Sequence, residues 1–152
     1  INVTNKTNNN RKKLLNIGNN NKDLFDFIHV DSYTKINFKS IIDIMKDYSI
    51  LLDIEGGGYS ARLKYLLLSN KPLLIVYRPY KEFFFKNLQE YVHYIPVKRD
   101  LSDLIEKTKW ILNNYNESLH IANNALEFAK TYLYEEYVYR HIFNIIQNQN
   151  KI

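Results

Sequence analysis

Apolar residues fall into two patterns along this chain: short unbroken runs, and stripes at three- and four-residue steps. The runs read as buried strands. Ile50-Leu51-Leu52 lies in a strand predicted over 49–54, Leu73-Leu74-Ile75-Val76-Tyr77 forms a second, and Val92 to Val97 a third. Pro72 stands at the entry of the second, where its missing N–H is not needed. Between the runs come helical stripes. Phe38, Ile41, Ile42 and Met45 predict a helix over 38–47, residues 59–69 predict another, and aromatic-rich Tyr80 to Glu90 a third. Beyond the last strand, Asp100 is an apt N-cap for a helix running to about Leu112. A longer helix follows through Leu119, Ala122, Leu126, Ala129 and Leu133, and helical character continues to Ile146. That stripe is packing, not a cofactor box. The first part of the chain is less regular. Residues 1–10 are rich in Asn, Thr and Lys and read as a disordered or linker segment. Residues 11–17 suit a short helix or strand, and Asn19-Asn20-Asn21 a break. A helical turn from Leu24 and a short strand from Phe27 to Val30 follow.

Strands that alternate with helices across short links indicate an α/β fold: a Rossmann-like parallel sheet flanked by helices. The chain has 152 residues, so 11–152 suits one domain with its own core. Ligands of such sheets bind beyond the carboxyl ends of the strands. The segment after the first strand, Asp53-Ile-Glu-Gly-Gly-Gly-Tyr-Ser-Ala-Arg62, lies at such an end and holds three of the four glycines, Gly56, Gly57 and Gly58.

A strand, a glycine turn and a helix start make an anion site, because first-turn N–H groups lack partners and the helix dipole favours negative charge. Ser60 can add a hydroxyl donor and Arg62 a forked, charged one suited to phosphate oxygens. Tyr59 sits inside the turn. A diphosphate is the simplest ligand. The plainer alternative is a tight turn with Arg62 as a solvated helix residue. Gly56, Gly58 and Ala61 also fit the dinucleotide spacing G-x-G-x-x-A, but the following strand ends Val76-Tyr77-Arg78 without the acid that would hold a ribose. NAD is therefore disfavoured, and NADP is left open through Arg78. No G-x-x-x-x-G-K-[ST] motif occurs. Asp53 and Glu55 alternate like an acid-x-acid metal site, yet a metal needs more converging oxygens, and they read as a strand-end pair. The four histidines lie far apart, so no metal site is expected.

Composition narrows the partners. The formal net charge of +5 raises nucleic acid, but the basic residues are scattered, and no basic stripe is interleaved with aromatics. A nucleotide ligand suits such a surface as well. No apolar run approaches the length of a membrane span and no signal peptide is visible. Cysteine is absent, so disulfides are excluded for this piece. The first residue is Ile in a polar opening, which suggests a piece of something longer. The compartment is unassigned, with the cytoplasm slightly favoured.

The order Gly56-x-x-x-Ser60-x-Arg62-x-x-x-Leu66-Leu67, followed by Tyr91-Val92-His93-Tyr94-Ile95-Pro96-Val97-Lys98-Arg99-Asp100-Leu101-Ser102-Asp103-Leu104, resembles the CAP10-like glycosyltransferases, which include the protein O-glucosyltransferases. The likeness extends from about Arg11 through Leu133. It implies the C-terminal, donor-binding lobe of a two-lobed GT-B enzyme that moves a sugar, glucose or xylose, from a UDP-sugar to a protein or glycan hydroxyl. It further implies that the catalytic base belongs to an N-terminal lobe of the same polypeptide, and that no metal or other cofactor is needed. Gly56, Ser60 and Arg62 carry over as donor-binding residues, with Arg62 stabilising the leaving diphosphate. Asp53, Gly57, Gly58 and Tyr59 stand beside them, and Lys98 is a further candidate contact to the nucleotide. No Lys-Asp-Glu-Leu-type signal closes the chain. The alternative is a binding or assembly module that has lost its chemistry.

Overall fold

The computed structural model describes residues 2–3, 9–30, 36–56 and 58–149. Three strands, β3 (Leu51–Asp53), β4 (Leu73–Val76) and β5 (Ile95–Val97), form a parallel sheet in the order β3-β4-β5, with Leu51 opposite Leu73 and Leu74 opposite Ile95. β4 is the central strand and all four of its residues are buried. Its unbroken apolar run follows from that, since a strand covered on both faces has no polar positions. A separate pair, β1 (Asn2–Val3) and β2 (Ile28–His29), runs parallel.

Helices cover both faces of the main sheet. On one face Leu51, Leu73 and Ile75 pack with Leu63, Leu66 and Leu67 of α3 (Leu63–Leu67) and with Ala125, Phe128 and Ala129 of α5 (Tyr115–Tyr132). On the other, Leu74, Val76, Ile95 and Val97 meet Leu14 of α1 (Asn9–Asn20) and Leu104 and Ile111 of α4 (Leu104–Asn113). Alternation along each strand sends successive side chains to opposite layers. The remaining helices are α2 (Ile41–Asp47) and α6 (Glu135–Gln149). This is the expected α/β, Rossmann-like arrangement. Among the described residues no helix is long and apolar enough to cross a membrane.

Several boundaries differ from those the pattern predicts. Asn2–Val3 is a strand and α1 begins at Asn9, inside the stretch expected to lack structure. α1 also runs through Asn20, because Asn21 closes it: its N–H reaches Gly18 O at 3.1 Å and its Nδ2 reaches Ile17 O at 2.9 Å. α2 starts at Ile41 because Ser40 caps it, accepting from the Asp43 N–H. The helix expected over 59–69 shrinks to Leu63–Leu67, since Ser60 and Arg62 are held in the preceding turn. Tyr80 to Glu90 holds only a 3₁₀ turn, Phe83–Asn87. The third strand is shortened to Ile95–Val97. Tyr91 has φ 58° and its N–H returns to Tyr94 O at 2.7 Å, so 91–94 is a turn. His93 consequently lies off the sheet, its Nδ1 accepting from the Gln89 N–H at 3.0 Å. Asp100 does not cap α4. It accepts from the Ser102 N–H in a local turn, Leu101 adopts φ 62°, and the helix opens at Leu104.

Candidate functional site at the carboxyl edge of the sheet

All three parallel strands end at one edge, and the charged residues that follow them gather there. Asp53, the last residue of β3, is 0% exposed. A buried carboxylate must be paired and hydrogen-bonded, and its partners are explicit. Ser60 Oγ donates to Oδ1 at 2.6 Å, and Arg78, two residues beyond β4, donates Nη2 to Oδ2 at 2.6 Å. Arg62 Nη2 stands 3.6 Å from Oδ1 and reaches the Ile54 carbonyl at 3.4 Å. Arg11, on α1, approaches from the other face. Its Nε donates to Glu55 O at 2.9 Å and its Nη2 to Ile54 O at 3.3 Å. Arg99, beyond β5, lies 3.7 Å from the buried Glu55 carboxylate.

The turn backbone from Ile54 to Gly56 is thus clasped by guanidinium groups. Burial, followed by repulsion from the Arg62 charge, lowers the Arg11 pKa to about 10. Cations crowded to that extent favour an incoming anion. Arg78 is 2% exposed, and its Nε and Nη1 have no partner in the structure. Glu82, four residues on, has a buried Oε2 without a partner, and burial raises its pKa.

Gly56 and Gly58 are not demanded by the fold. Neither has a positive φ. A Cβ at Gly58 would meet nothing within 4 Å, and one at Gly56 would meet only Arg11 Nη2, at 3.9 Å. Gly57 lies outside the described residues. Tyr59 is exposed beside them, and the Arg62 side chain is 28% exposed. Arg62 also borders an apolar cavity of about 90 Å³ that includes Phe25, Phe27 and Leu52.

The structure brings Asp53, Gly56, Ser60 and Arg62 together, with Gly58 and Tyr59 on the same turn. Lys98 stands apart from them. It is exposed in a groove of about 440 Å³ beyond β4 and β5, with Tyr77, Tyr91, Arg99 and Lys107. Arg99 connects that groove to the turn through Glu55. Ser60 directs its hydroxyl proton to Asp53, so here it is not the outward donor expected. α3 is only five residues long, so cationic side chains, more than a helix dipole, give the turn its character. Arg78 faces inward, buried and paired with Asp53. Sequence reasoning named neither Arg11 nor Arg99 as a site residue, although Arg99 lies inside the second motif block and the likeness begins near Arg11.

Residues 4–152 match the family model described as Glycosyl transferase family 90. The chain belongs to this family. It is 32% identical over 113 residues to Protein O-glucosyltransferase 3 of Homo sapiens, covering 74% of this chain and 22% of that protein. Protein O-glucosyltransferase 2 of Danio rerio is 34% identical over 108 residues, 71% of this chain and 21% of the relative. Uncharacterized protein 179R of Invertebrate iridescent virus 6 is 33% identical over 106 residues, 65% of this chain and 9% of the relative. This family 90 chain therefore spans about a fifth of the O-glucosyltransferases it matches.

Proposed function

We propose that this chain is the donor-binding part of a glycosyltransferase of the two-lobed GT-B kind, taking a UDP-sugar whose diphosphate lies on the turn 54–60. The observation that carries this is the pairing of Gly56 and Gly58, which the fold does not require, with the guanidinium of Arg62, at the carboxyl edge of a parallel sheet. A glycine surface lets an anion approach the backbone. Arg62 supplies two parallel donors for its oxygens. The family membership supports sugar transfer, and the names of the relatives suggest glucose as the sugar.

In the reaction, an acceptor hydroxyl oxygen on a protein or glycan attacks the anomeric carbon. The bond from that carbon to the β-phosphate oxygen breaks, and the electron pair leaves with UDP. Arg62 stabilises the charge that grows on the diphosphate, a preorganised electrostatic contribution that takes the place of a metal ion. The acceptor proton goes to a base in a lobe outside this chain. Asp53 and Ser60 hold the turn, and Lys98 with Arg99 lines the groove on the nucleotide side.

Calorimetric titration with UDP, UDP-glucose and NADP, in the presence of a chelator, tests this reading. UDP and UDP-glucose are expected to bind and NADP not to. Arg62→Ala is expected to weaken UDP by about ten- to a hundredfold, as befits loss of a charge-assisted contact. Equal affinity in the two proteins rules out the role given to Arg62. A requirement for added metal rules out the metal-free mechanism.

A further inference from the structure

Asp53 has two guanidinium groups within ion-pair distance, among the described residues, and holds them unequally. Arg78 Nη2 is 2.6 Å from Oδ2, whereas Arg62 Nη2 is 3.6 Å from Oδ1, beyond hydrogen-bond length. Oδ1 is already occupied by the Ser60 hydroxyl at 2.6 Å. The Arg62 bond to Ile54 O is also long, at 3.4 Å. Exposure follows the same order: the Arg78 side chain is 2% exposed and that of Arg62 is 28% exposed. Among the described residues Asp53 is the only carboxylate within ion-pair distance of Arg78, while Glu82 feels the Arg78 charge from farther away.

We infer that Arg78 and Ser60 saturate Asp53 and thereby keep the Arg62 guanidinium available to the ligand; Arg78 is a positioning residue that acts through Asp53. An unpaired buried carboxylate is costly, and the nearest cation closes on it. Without Arg78 that cation is Arg62, which would give its donors to Asp53 and lose them to the diphosphate. Without Ser60, Oδ1 is vacated and Arg62 moves to it. This rests on the assignment of Arg62 as the ligand cation, but the position of Arg62 can be read without any nucleotide.

The experiment uses phenylglyoxal, which adds to accessible guanidinium groups, with the modified residues located by mass spectrometry on the full chain. Arg62 is expected to react in the wild type and to slow about fivefold in Arg78→Met and Ser60→Ala, the upper ratio for an ion pair in which one member, Arg62, stays partly exposed. Reactivity returns in Asp53→Asn/Arg78→Met, where the attracting charge is gone. UDP affinity follows the same order. A merely structural role for Arg78 would loosen the fold in Arg78→Met and raise Arg62 reactivity, not lower it. Equal Arg62 reactivity in all four proteins overturns the inference. If Arg78→Met fails to fold, Ser60→Ala against the wild type decides it. Failure of the wild type to bind UDP overturns the proposed function, while the order of Arg62 reactivities still settles this one.

Discussion

Gly58 separates what the fold needs from what a ligand needs. Its backbone is in an ordinary region and the space around a Cβ is open. Gly58→Ala should leave urea-unfolding stability unchanged or raise it by about 0.4–1 kcal/mol, through lower unfolded-state entropy. UDP affinity should nonetheless fall, and unchanged affinity would show that no ligand approaches there. His93 gives a pH prediction. Burial lowers its pKa below the usual histidine value, and its Nδ1 accepts the Gln89 N–H, a bond that protonation of that atom breaks. A depressed folded pKa means that the unfolded state binds the proton first, so stability is present above the unfolded value and is lost as pH falls through the folded one. Unfolding at about pH 7.5 and about pH 5.5 should show this loss in the wild type and a smaller loss in His93→Gln. An equal loss would place the titration elsewhere. At this scale the site was half legible. Asp53 through Arg62 could be read because strand, turn and arginine adjoin in sequence. Arg11 reaches the Glu55 carbonyl from 44 residues away and Arg78 the Asp53 carboxylate from 25, by tertiary approach, which no local pattern encodes.

Gly18 shows how one element docks on another. It is buried in α1, and a Cβ there would stand 2.8 Å from Phe27 Cδ2 and 3.2 Å from Phe27 Cβ. Gly18→Ala gains about 1 kcal/mol of helix propensity. Against this stands an overpacking cost of about 1–3 kcal/mol. A net loss of stability in urea is expected; a gain would mean that Phe27 turns aside at little cost. The existence and order of β3, α3, β4, β5, α4 and α5 were legible, because burial on both faces leaves unbroken runs and helix burial leaves stripes. Their ends were not. Tyr91 and Leu101 adopt left-handed backbone, which bulky residues rarely do, so composition gave no sign of either turn. Asp100 was a reasonable cap, but Asp103 binds the Lys98 N–H and the helix begins beyond it.

For the whole molecule, α6 presents Tyr139, Ile142, Phe143 and Ile146 to solvent along one stripe. Exposed apolar area of this kind favours self-association. Ile142→Glu with Ile146→Lys should lower association in sedimentation at rising concentration and change stability by no more than about 0.5 kcal/mol. Equal sedimentation of variant and wild type would show the stripe to be inert. The sheet itself has a direction of growth. Val97 O accepts from Tyr77 N, so Val97 faces β4 and the preceding residue, Pro96, faces outward. Proline has no N–H, so the outer margin of β5 lacks the donor that a further strand would use. On the opposite margin Leu51 bonds inward to Pro72 O, which leaves the amide and carbonyl of Leu52 turned outward. The sheet therefore keeps an open edge at Leu52 for strand addition, while Pro96 withholds a donor on the other side.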